Sequence, residues 1–111
     1  MPKISVIKEA KKLKKPYTPI KIANIDESHA YVVMIKGEFQ KHRHPRDEFF
    51  YVLSGSMEIV TENGVEKLKK GEGLLVKKGK WHQSRSKRKA WVMLFEKIGL
   101  DRELAEMAKT S

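Results

Sequence analysis

The chain has 111 residues, 40% hydrophobic and 34% charged, a length that suits one domain (residues 1–111) and a balance that excludes a disordered chain or a fibre. Lysine and arginine number 24 against 14 acids, a net charge of +10 that suits an anionic ligand, a nucleic acid or simple solubility. Cysteine is absent, which excludes disulfides and thiolate chemistry, and no apolar run approaches the roughly 20 residues that span a bilayer.

The start, Met1-Pro2-Lys3-Ile4-Ser5, lacks the apolar stretch of a secretory signal, so a cytoplasmic protein is expected. A lysine- and glutamate-rich chain without cysteine also has the composition of many hyperthermophile proteins. Over residues 6–15, Val6, Ala10 and Leu13 recur at helical spacing among lysines, which predicts a short surface helix that stops before Pro16 and Pro19.

The period then changes to two. Strands are predicted at Ile20 to Ile25, His29 to Lys36, Glu48 to Ser54 and Ser56 to Glu62, with Ser54-Gly55 as a tight turn. Asn63-Gly64 signals a hairpin into Val65 to Leu68. Further strands are predicted at Gly73 to Lys77, Trp81 to Ser86 and Ala90 to Glu96, and Asp101 offers an N-cap for a final helix over residues 102–109. About eight short strands with frequent turn signals describe an all-β sandwich or barrel with short terminal helices.

The residues that carry chemistry are His42-Arg43-His44, then Glu48, then His82. Residues two apart on a strand face the same way, so His42 and His44 point into one cavity that Glu48 can also reach. Three imidazoles and a carboxylate suit a divalent transition metal and leave coordination positions for water or substrate. His29, at the start of a strand, reads as an ordinary hydrogen-bonded histidine and stands outside this set. By the same parity Phe50 shares the face of Glu48 as an apolar wall, Ser84 shares that of His82, and Arg43 points away.

The segment GEFQKHRHPRDEFFYVLSG, from Gly37 through His42, His44 and Glu48 to Gly55, resembles the first motif of the small cupins. GEGLLVKKGKWH, from Gly71 through Gly79 to His82, resembles the second, so the motif core is about residues 37–82. Lys77 stands where that motif usually has proline, which should loosen the turn before His82. Four residues rather than the commoner five separate Gly37 from His42, a spacing similar to short archaeal and bacterial cupins of the mannose-6-phosphate-isomerase-like group.

The resemblance implies a double-stranded β-helix, or jelly roll, with one divalent metal held by His42, His44, Glu48 and His82. It also implies that the glycines are structural, with Gly55 and Gly79 at turns needing positive φ and Gly37 and Gly71 at the starts of strands. Zinc, manganese, iron or nickel would serve. A homodimer is expected from the family and from the open edge of such a sheet.

The function this implies is a metal-dependent enzyme acting on a small, anionic organic molecule, as a sugar-phosphate isomerase or a dioxygenase does. The alternative is a non-catalytic small-molecule binder or sensor. No general acid or base stands out beyond Glu58, the nearest other carboxylate considered. Ten cations lie in residues 67–89 and would either draw an anion to the mouth of the cavity or serve as solvated edge residues. Helix-turn-helix, RNA-binding and zinc-finger patterns are missing from the sequence, so neither a specific nucleic acid nor a membrane is expected as partner.

Overall fold

The computed structural model describes residues 1–97, so the helix expected at 102–109 lies outside the described residues. A short helix, α1 (Val6–Lys11), is followed by seven strands: β1 (Ile20–Ile25), β2 (Ser28–Glu38), β3 (Glu48–Ser54), β4 (Ser56–Thr61), β5 (Gly64–Lys69), β6 (Gly73–Val76) and β7 (His82–Lys97). All pairings among these strands are antiparallel. The path runs β1-β2-β7-β3-β6, and the β4–β5 hairpin joins through β4 and β7. This is the all-β jelly roll expected from the sequence.

Helix α1 ends four residues before the predicted limit. Only Ala10 is buried, so nothing rewards ordering another turn of lysines ahead of Pro16. The helix lies over the outer face of β2 and β7, where the Lys11 ammonium sits 3.4 Å from the ring centre of Trp91.

A larger difference concerns β7. The sequence predicts two strands separated by Lys87-Arg88-Lys89, but His82–Lys97 is one strand of 16 residues. Its first part pairs with β4, its second part with β3, and β2 follows both. Ile35 pairs with Ala90 and Gly37 with Ser86, so Lys87, Arg88 and Lys89 bulge out against the single residue Lys36. All three are exposed, and their charges mark a bulge rather than a turn.

Gly37 lies at this irregularity, near the end of β2, and not at the start of a strand as expected. Its φ of +77° supplies the local change of direction. Gly55, between β3 and β4, has φ +82°, and a Cβ there would stand 2.8 Å from the Lys89 carbonyl oxygen. Both conformation and space therefore demand glycine at 55. Gly71 and Gly79 occupy turns ahead of β6 and β7.

Inward parity builds the core: Val33 and Ile35 on β2, Phe50 and Val52 on β3, Met57 and Ile59 on β4, and Val92 on β7 pack together, closed by Leu68 and Val76. Strand register stacks them in rows. Val33, Val92 and Val52 align across β2, β7 and β3, as do Tyr31, Leu94 and Phe50 one step along. The next step places His29, Glu96 and Glu48 in line, and here the interior turns polar.

Candidate metal centre

His42 lies between β2 and β3 and is tied to the first residue of β7. The His42 N–H donates to the His82 carbonyl at 3.0 Å, and the His82 N–H returns a bond to His42 at 2.9 Å. That two-way pairing places His42 and His82 opposite each other, their ring centres 4.3 Å apart. His44 follows two residues later on the same side, and Glu48 opens β3. Exposures of 8% for His42, 3% for His44 and Glu48, and 1% for His82 show four polar groups sealed from solvent. One ligand atom from each lies within 4.8 Å of the others.

Each imidazole is aimed by a bond to a backbone carbonyl two residues away. Nδ1 of His42 meets Gln40 O at 2.8 Å, that of His44 meets Arg46 O at 2.8 Å, and that of His82 meets Lys80 O at 2.9 Å. A carbonyl oxygen only accepts, so each Nδ1 carries a proton, and in the neutral ring the lone pair of Nε2 then faces inward. Nε2 of His44 and of His82 is buried with no hydrogen-bond partner. A buried polar atom normally has one, so these two nitrogens fit an electrophile placed between them.

Spacing supports the same reading. Glu48 Oε1 stands 3.4 Å from His44 Nε2 and 3.6 Å from His82 Nε2, long for hydrogen bonds. Two donors each about 2.1 Å from a tetrahedral ion are roughly 3.4 Å apart, the scale seen here. The donor set fits a divalent ion.

The electrostatics favour the binding forms of His42 and Glu48. Burial lowers the pKa of His42 below the usual histidine value, and the neighbouring His82 and His44 push it the same way. Burial alone would raise the Glu48 carboxyl, but His44, His82 and the Glu96 carboxyl together hold it at about 2. A neutral His42 imidazole and an ionised Glu48 carboxylate are forms that bind a metal.

Surrounding residues brace these loops. The Tyr17 hydroxyl donates to the carbonyls of Gly37, at 2.8 Å, and Ser84, at 3.2 Å, and burial raises its pKa to about 12. Gln83 Nε2 donates to Phe39 O, and the Phe39 ring meets His42 edge-on. The turn before His82 lacks the proline of the motif and is tied by other means. Lys78 N–H donates to Asp47 Oδ1 at 2.9 Å, and Gly79 N–H donates to the His44 carbonyl at 2.8 Å. The loop that carries His82 is thus bonded to the segment that carries His44 and Glu48.

Phe50 sets its ring edge-on to His82, 6.2 Å between centres, on the apolar side anticipated for it. Ser84 is buried two residues beyond His82, where its carbonyl accepts from Phe39 N–H and from Tyr17. Arg43 points outward over Trp81. Glu58 is not the extra carboxyl of the site, because it pairs with Arg85 at 2.8 Å, and Thr61, three residues later, is the register partner of His82. The carboxyl that reaches Glu48 is Glu96, 5% exposed. Sequence reasoning missed it, although its inward phase with Val92 and Leu94 on one strand was a usable signal.

Among the described residues no helix is long and apolar enough to cross a membrane. Residues 29–95 match the family described as the cupin domain. No curated protein matches the sequence. Among solved structures, a cupin-2 domain containing protein from Shewanella frigidimarina is 26% identical with a TM-score of 0.82, covering 85% of this chain and 93% of its own. The hydroquinone 1,2-dioxygenase PnpCD, in complex with Cd2+ and 4-hydroxybenzonitrile, is 15% identical with a TM-score of 0.75, over 86% of this chain and 72% of the other. The DMSP lyase DddQ from Ruegeria pomeroyi is 25% identical with a TM-score of 0.61, over 69% of this chain and 41% of the other.

Proposed function

Because the chain belongs to the cupin domain family, we propose that it holds one divalent metal ion through His42, His44, Glu48 and His82 and acts on a small, anionic organic molecule. The observation that carries this reading is the convergence of four buried ligand atoms within 4.8 Å, with two Nε2 atoms left without a hydrogen-bond partner. Zinc, manganese, iron or nickel is compatible with such a nitrogen and oxygen set.

A bound ion with open positions would polarise or orient the oxygens of a substrate. The chain's own part is to hold the four donors still through the Nδ1–carbonyl bonds and to exclude water on the side of Phe50. Lys77, Lys78 and Lys80, in the loop ahead of His82, offer positive charge for an incoming anion. Sugar-phosphate isomerisation and dioxygenation are the two reaction types to be compared, and the dioxygenase neighbour is a likeness of fold alone. A cytoplasmic location stays part of this proposal.

The test is to load the purified protein with each of the four metals. Sugar phosphates and hydroxybenzoates are then offered, the latter in air, while turnover and calorimetric binding are followed together. Metal-dependent turnover supports the enzyme reading, and tight binding without turnover supports the ligand-binding alternative. Metal-loaded protein that neither binds nor converts members of these classes would overturn the proposal of an anionic substrate.

Self-association belongs to the same proposal. Among the described residues β1 pairs only with β2 and leaves its other edge open, and Ile20 is 36% and Ile25 54% exposed. Edge pairing with a second copy would cover both. Sedimentation at micromolar concentration should give the mass of a dimer; a monomer throughout would contradict it.

A further inference from the structure

The geometry points to a second working surface on this protein, a basic groove that binds the phosphate backbone of double-stranded DNA without reading its sequence. The groove holds about 480 Å³, with Lys67 and Lys69 of β5 on one bank and Lys87 and Arg88 of β7 on the other. All four side chains are exposed. The acid that also lines the groove, Glu58, is already paired with Arg85 at 2.8 Å. The surface is separate from the metal centre and does not depend on it. β4 starts at the groove with Ser56 and ends at Thr61, the register partner of His82, about 17 Å further along the strand.

Protection of a sheet edge accounts for only half of these charges. Among the described residues β5 pairs with β4 alone, so Lys67 and Lys69 would guard that edge in any case. β7 is an interior strand, paired with β2, β3 and β4, and has no such edge to blunt. It nevertheless bulges Lys87, Arg88 and Lys89 out against the single Lys36, four like charges in one small region. The bulge is fixed rather than slack. The Ser86 hydroxyl spans the carbonyl of Ser56, at 2.8 Å, and that of Arg88, at 2.5 Å. The chain at Gly55 lies so close to the Lys89 carbonyl that a Cβ has no room. Like charges crowded on a fixed frame repel, and a polyanion that neutralises them removes that repulsion.

Two features select the partner. Among the described residues no aromatic side chain lines the groove, so unpaired bases would find nothing to stack on, whereas a duplex presents its phosphates outward. The apolar residues of the groove, Met57 and Leu68, are buried, which leaves no anchor for a lipid surface.

The test is fluorescence anisotropy of a labelled 20-base-pair DNA duplex of arbitrary sequence, titrated with the full chain. Four phosphate contacts predict a fall of about 150-fold in affinity between 50 and 200 mM salt. Lys67→Glu with Lys69→Glu, and Lys87→Glu with Arg88→Glu, each reverse two contacts and should weaken binding at least about tenfold at the lower salt. The control, Lys8→Glu with Lys21→Glu, makes the same change in net charge on α1 and β1 and should weaken it less than about threefold. All six side chains are exposed, and thermal scans check that each variant folds as the parent does. An equal loss in all three variants would overturn the inference, because net charge alone would then explain the binding. A loss confined to one bank would also overturn it, as would a parent chain that leaves the duplex unbound at 50 mM salt. Binding to phosphatidylserine vesicles but not to the duplex would assign the surface to a membrane instead.

Discussion

Supplying a divalent ion at about one hundred times its dissociation constant should stabilise the folded chain by about 2.7 kcal/mol. For a chain of this size that is a rise in Tm on the order of 10–20 °C, reversed by a chelator. The effect is expected to be large because little is left to organise. His42 and His82 are locked by reciprocal backbone bonds, and the three Nδ1 protons are already engaged. The unfolded chain holds none of this convergence, so the ion binds almost wholly to the folded form. Calorimetric scans with zinc, manganese, iron(II) and nickel in turn, each repeated with excess chelator, read the shift directly. Identical melting with and without every one of these ions would contradict a preformed centre.

Replacing Glu48 by glutamine should separate metal binding from folding. The substitution keeps the shape of the side chain and removes its charge, so an ion would face four neutral donors instead of three and a carboxylate. A hundredfold loss of affinity would cut the 2.7 kcal/mol shift to about 0.4 kcal/mol at the same metal concentration. The metal-free fold should change by no more than about 1 kcal/mol. The reason lies in the partners: each imidazole keeps its Nδ1 bond to a backbone carbonyl when the charge of Glu48 is removed, so the hydrogen bonds that hold the rings are untouched. Parallel thermal scans of parent and Glu48→Gln, each with and without the ion, give both quantities. A variant that keeps the full metal-induced rise would show that Glu48 is not a ligand.

How much of this was legible in the sequence follows from the range over which each feature is determined. His42 and His44 were readable as a pair because period two holds along an extended segment whatever it packs against. Glu48 and His82 were readable because the spacing of two motifs placed them, and the structure brings all four ligand atoms together. The apolar position of Phe50 and the outward turn of Arg43 followed from the same parity.

What escaped was set by contacts between distant strands. Lys87-Arg88-Lys89 carries the charge of a turn, and only the pairing of Ile35 with Ala90 and Gly37 with Ser86 shows that it bulges from a continuous strand. The second carboxyl of the site escaped for a similar reason. Glu96 precedes the exposed Lys97 at a strand end, where an acid usually meets water, and its register with Glu48 outweighs that local signal, in phase with Val92 and Leu94. The turn that lacks proline at Lys77 looked loose in sequence, yet Asp47 and the His44 carbonyl tie it from thirty or more positions away. In each case local residue type pointed one way and long-range pairing decided otherwise.

The most direct measurement is a crystal structure of the metal-loaded protein with diffraction recorded on both sides of the ion's absorption edge. The account predicts a single anomalous peak about 2.0–2.2 Å from Nε2 of His42, His44 and His82 and from a Glu48 carboxylate oxygen. A peak elsewhere on the surface, with only water among those four side chains, would contradict it.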